Sequence, residues 1–198
     1  MSEWWTYNPF EMLMFSPQAY WRLVDRYQRE WWPQPLLMPL LGLACGLLVT
    51  RISTSARRAG WMLLAIIWAW VGWAFHWQRY AEIFLGAPWL AGSAWLQAGV
   101  LLTVAVWPAD AHAPSRGAAG VGALMGTAAF AYPLAWLVMG HTWQQAEFFG
   151  SLPDPTALGT LGLLAVARGL APPVRIAAAV LPVLTLAWGW GTLWAMAH

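Results

Sequence analysis

The stretch AGWMLLAIIWAWVGWAFHW, from Ala59 to Trp77, decides the fold: nineteen residues pass without a charge, and the next basic residue is Arg79. A helix crossing a hydrocarbon core needs about 20 mostly apolar residues at about 1.5 Å of rise each. Five further windows read the same way: Trp32–Thr50, Pro88–Trp107, Ala118–Gly140, Thr156–Leu170 and Ile176–Ala197. The expected architecture is an all-α, polytopic membrane helical bundle of about six transmembrane helices.

Composition supports that class. Of 198 residues, 60% are hydrophobic and 9% charged, against about 25% charged in ordinary soluble domains. So few charges exclude a soluble domain and a disordered chain. A net charge of +2 excludes a phosphate-neutralising surface, so no nucleic-acid partner is expected. A single cysteine, Cys45, excludes a disulfide framework. All basic residues are Arg, which a GC-rich genome explains. The 18 Trp point to the headgroup level, where the indole body and its N–H are both served. Trp4, Trp5, Trp21, Trp31, Trp77 and Trp143 are the expected membrane-interface anchors. The first fifteen residues carry Glu3 and Glu11 and no basic residue, so they do not read as a secretory signal.

Residues 1–31 form an expected first unit, an interfacial segment and amphipathic helix, and 32–198 a six-span bundle. Ser16 is a helix cap and Pro17 stands at the first helical position. Tyr20, Val24, Tyr27 and Trp31 share one face. Arg22, Asp25, Arg26 and Arg29 share another, with Asp25–Arg29 and Arg26–Glu30 at pairing distance along the helix. Such a helix is expected in the interface plane.

Arg distribution sets the orientation. The odd loops hold Arg51, Arg57, Arg58, Arg116, Arg168 and Arg175, whereas the other side holds Arg22, Arg26, Arg29 and Arg79. The odd loops are therefore expected in the cytoplasm of a bacterial inner membrane, with both termini outside.

Parity then gathers the chemistry. His76 ends the second span and His141 the fourth, so both belong at one face, with Arg79, Glu82, Glu147 and Asp154. Ala65, Ala69, Gly72, His76 and Arg79 lie in one arc of the second span, a small-residue row that packs on another helix or lines a cavity. His76 reads either as a hydrogen-bonded interfacial histidine or as a metal, haem or proton-relay residue, with Glu82 or Glu147 as partner; His141 reads alike. Arg79 reads as a snorkelling anchor or as the holder of an anion. A metal on His76 and His141 would have ligands from separate helices without a spacing motif. The loop from His141 to Pro155 is aromatic and amphipathic and is expected to fold back as a lid. Gly42-xxx-Gly46 and Gly122-xxx-Gly126 permit close helix contact. No phosphate loop, nucleophile elbow, His-Glu-x-x-His or paired catalytic acids stand in the sequence, so no catalytic residue and no cofactor is assigned.

Phe15–Arg22, Trp70–Trp77, Tyr132-Pro133, Gly140-His141 and Phe149–Thr156 followed by Leu158–Gly162 resemble an uncharacterised bacterial family of multi-span membrane proteins. It is a domain of unknown function whose members are sometimes labelled permeases. The resemblance implies an inner-membrane bundle and no activity. In that family's pattern a Cys is usual where this chain has Asp154, so any chemistry of that Cys is absent or altered here.

The expected function is binding or translocation of a small solute or ion through a cavity near His76, Arg79, Glu82, His141 and Glu147. Its partner would be the lipid bilayer. The alternatives are a non-catalytic accessory subunit seated against other membrane subunits, and a His-ligated metal or haem redox protein. A transporter predicts a cavity reaching past Gly72 toward mid-span; an accessory subunit predicts a closed bundle with His76 satisfied internally.

Overall fold

Ser16 accepts the Ala19 N–H at 3.3 Å, and Pro17 takes the first helical position, so α1 (Pro17–Glu30) starts where the missing proline donor costs nothing. The computed structural model describes residues 15–108 and 113–197. Trp4 and Trp5, with the rest of the first fourteen residues, lie outside them, as do His112 and His198.

Beyond α1 come α2 (Gln34–Val49), α3 (Thr54–Trp70), α4 (Ala87–Val106), α5 (Arg116–Val138), α6 (Pro153–Val166) and α7 (Pro172–Ala197). No strand occurs among the described residues. The chain is an all-α bundle. Ser53 and Ser115 cap α3 and α5 by accepting the Ala56 and Ala118 N–H groups. The chain leaves α5 through Gly140, whose φ of 88° a side chain would strain.

Among the described residues four helical stretches are long and apolar enough to cross a membrane: Thr54–Glu82, Ala87–Val106, Arg116–Val138 and Pro172–Ala197. A fifth arises if α1 and α2, bent by 81° at their junction, count as one span. This is fewer than six. All six apolar windows are helical, but α2 has 16 residues and α6 only 14. At about 1.5 Å per residue α6 extends roughly 21 Å, short of the ~30 Å core. It lies between α5 and α7, buried from Asp154 to Leu164 on most of its surface. A helix sheltered by its neighbours does not need lipid-spanning length.

Small residues set the packing. Gly122 and Gly162 approach so closely that a Cβ on either would stand 2.7–2.8 Å from the other's carbonyl oxygen. The α5–α6 crossing thus joins backbones, as between helices in lipid, where packing rather than water drives association. On the other side Ala94 and Ala98 of α4 are buried together with Ala65 of α3. Two buried bonds fix the layers: Trp68 Nε1 donates to Thr160 Oγ1 at 2.9 Å, and Gln97 Nε2 donates to the Ala178 carbonyl at 3.2 Å. At the far end Arg175 donates to the carbonyls of Leu164, Ala165 and Ala167 at 2.6–3.1 Å, satisfying the open end of α6.

Candidate functional site

α3 does not stop at Trp70. It widens into π-helical turns over Val71–Trp77, where the Gln78 N–H reaches back to the Trp73 carbonyl at 3.0 Å. The wider turn lets Gly72 and His76 share the buried side while Trp73 and Trp77 stay exposed. Gly72 is required there, because a Cβ would meet the Trp95 indole at 2.7 Å. His76 is 5% exposed, packed beside Phe75 and Tyr80, and its Nδ1 has no hydrogen-bond partner.

The loop after α5 folds back into the bundle. Thr142 and Gln145 form a capping box on the 3-10 turn Trp143–Gln145, and everything from Ala146 to Leu152 is buried. Phe149 fills the space left by Gly42 and Gly159. Thr156 clamps the return, accepting the Gly150 N–H at 2.8 Å and donating to the Leu152 carbonyl at 2.6 Å. The structure thus places inside the bundle a segment that a hydropathy window leaves in solvent.

α1 seals this loop from the same end. Tyr20 donates its hydroxyl proton to Glu147 Oε1 at 2.8 Å, Tyr27 donates to the Ser151 carbonyl at 3.1 Å, and Gln28 donates to the Ala146 carbonyl at 2.9 Å. Glu147 is 1% exposed, and its second oxygen has no partner. Burial pushes its carboxyl well above the ordinary carboxylate range; the Tyr20 bond opposes that shift. Asp154, in the first turn of α6, is 4% exposed with Oδ1 unpartnered. It lies close enough to Glu147 for the two charges to repel.

Between these groups is a cavity of about 310 Å³, at the lower end of the ~300–1,000 Å³ usual for ligand pockets. His76 and Asp154 line it with the rings of Trp68, Phe75, Tyr80 and Trp188. It extends past Gly72 along α3 to Trp68, and along α4 to Ser93 and Ala94. Leu184 and Trp188 line it and are also 58% and 44% exposed, which puts its mouth on the outer side of α7.

The family of unknown function DUF6064 matches residues 17–193, from the start of α1 to near the end of α7. The chain belongs to that family. No curated protein and no solved structure matches it.

In this DUF6064 member the sequence-predicted residues divide into three groups. His76 lines the cavity, and Glu147 lies behind Tyr20, which also lines it. Arg79 and Glu82 stand apart. Arg79 bonds Glu82 at 2.8 Å and pairs closely with Glu30, while Glu82 also takes Arg26 at 3.2 Å. Neither is among the residues lining the cavity. Glu82 is therefore not the partner of His76, and Arg26 crosses to Glu82 instead of pairing with Glu30. The Arg79 charge is answered by two carboxylates rather than left for an anion. This network joins α1 to the turn after the π-helical segment.

His141 forms the third group, tilted on the Trp21 ring at 4.1 Å and edge-on to Trp136 at 5.4 Å. His141 and His76 share the end of the bundle covered by α1, as parity requires. Yet no group of three or more His, Cys, Asp or Glu is placed to hold a metal among the described residues. The interface anchors separate too. Trp77 and Trp143 are exposed. Trp21 packs on Trp136, and Trp31 packs against Trp70 and Trp73.

Sequence reasoning missed Asp154 as a site residue and the charge repulsion between it and Glu147. Asp154 stands between two prolines at the head of an apolar helix and reads as a cap. The available signal was its place as the last charge before thirteen uncharged residues.

Proposed function

We propose that this protein is a multi-pass membrane protein that binds or translocates a small solute through the cavity between α1, α3, α4, α6 and α7. One observation carries the reading: the cavity holds two buried polar side chains, His76 and Asp154, each with an atom lacking any intramolecular partner. A group buried without a hydrogen bond costs about 1–3 kcal/mol, and such a cost is usual where a ligand or ion supplies the bond. The depth of the cavity also favours this reading over a closed accessory subunit.

The bacterial inner membrane, with both termini on its outer side, remains the proposed location. The first and fifth loops meet at one end, where the Arg57 guanidinium lies 3.3 Å from the position a Cβ on Gly169 would take. That juxtaposition collects Arg at the end opposite α1, the side expected to face the cytoplasm.

Cysteine labelling tests the cavity. In a Cys45→Ala background, Ser93→Cys should react with a small water-soluble thiol reagent in the folded, detergent-solubilised protein. Ser93→Cys that reacts only after unfolding would mean no solute reaches the cavity and would overturn the reading.

A further inference from the structure

Three hydroxyls lining the cavity have one common property. The Ser93 hydroxyl donates to the Leu90 carbonyl at 2.7 Å, Thr185 to the Leu181 carbonyl at 2.9 Å, and Thr192 to the Trp188 carbonyl at 2.9 Å. Each hydroxyl has committed its single proton to its own helix, so what it offers a ligand is oxygen lone pairs. Asp154, 4% exposed with an unpartnered Oδ1 packed beside Gly189 of α7, adds a carboxyl group to the same wall.

The charge points the same way. Asp154 is the one acid among the described residues lining the cavity, no Arg lines it, and the titratable imidazole of His76 stands there too, packed beside Phe75 and Tyr80. It sits in the first turn of a 14-residue helix, where the backbone dipole favours a carboxylate. Glu147 stands behind it as a second acid, and the Arg79 charge is answered by Glu30 and Glu82. A bound anion would find acids and no Arg at this wall, whereas a bound cation favours the ionised form of Asp154. The remaining wall is aromatic: Trp68, Phe75, Tyr80 and Trp188. Ring faces attract cations through their quadrupoles.

We infer that the cavity takes a small organic ammonium, primary or secondary, with its N–H donors on Asp154 and the hydroxyl oxygens and its apolar body among the rings. The inference rests on the solute-binding reading above and names its ligand class.

Three probes of similar size and different charge test it: 2-phenylethylamine, 2-phenylethanol and 3-phenylpropionate. Each is titrated by calorimetry into the full chain in mild detergent, with empty micelles as the blank. The amine should bind at least tenfold more tightly than the other two. Asp154→Asn should lower amine affinity at least tenfold and leave 2-phenylethanol within threefold. The charge series is read on the unaltered protein, so it stands even if Asp154→Asn fails to fold. An alcohol or carboxylate that binds as tightly as the amine overturns the ammonium assignment and leaves solute binding intact. Unchanged amine affinity in folded Asp154→Asn overturns it as well. If none of the three binds, the ammonium assignment falls. The Ser93→Cys labelling then decides solute binding separately: a reactive thiol keeps it, an unreactive one removes it.

Discussion

Glu147 and Asp154 show how differently one residue type can read. Glu147 lies in an aromatic loop where a charge stands out, whereas Asp154 hides in a helix-start motif. Both end up buried, because the loop between them turns inward. For Glu147 the consequence is a pH dependence of definite sign. Its carboxyl titrates above its ordinary value of 4.5 in the folded protein, so the fold favours the protonated form. The unfolded chain releases that proton first. The contribution of Glu147 to stability is therefore fully present below pH 4.5 and is lost as pH rises toward and through the folded-state value. Glu147→Gln removes this slope. Thermal unfolding in detergent from acid to neutral pH should show the parent losing stability relative to Glu147→Gln, and parallel curves would contradict the burial of this carboxyl.

At the scale of elements, glycine spacing proves more informative than proline. The Gly122-xxx-Gly126 pattern is frequent by chance in glycine-rich spans, yet here both residues border Gly162. A Cβ at Gly162 would stand 2.8 Å from backbone atoms of Gly122 and Gly126, which cannot swing aside like a side chain. Gly162→Ala must part α5 from α6, at a cost of about 1–3 kcal/mol as for other overpacked interiors. Gly191, exposed on α7 with nothing within 4 Å of its would-be Cβ, is the control. There Ala should be neutral or stabilising by up to about 1 kcal/mol from helix propensity. Unfolding in mixed detergent reads both, and equal effects would mean that the α5–α6 contact does not limit stability. The π-helical segment is the element the sequence conceals. Its residues carry no periodicity that marks a widened turn, and Gly72 within it stands against Trp95 on another helix.

At the scale of the whole molecule, the end capped by α1 holds the polar chemistry, and the opposite end holds Arg57, Arg168 and Arg175. Reporter fusions in 78–87 and 141–155 should report one compartment, and fusions in 51–58 and 168–175 the other. A split within either pair would break the topology. Helical class, the six apolar segments and the shared end of His76 and His141 were legible in the sequence, because hydrocarbon solvation acts on composition and on the parity of crossings, both local quantities. Which apolar helices are long enough to span, which carboxylate faces the cavity and which Arg is already neutralised were decided by tertiary structure. Those outcomes depend on contacts between residues far apart in the chain, such as Tyr20 with Glu147 and Arg79 with Glu30. No window along the sequence contains both partners of such a contact, and the free energy that selects it exists only when the helices pack.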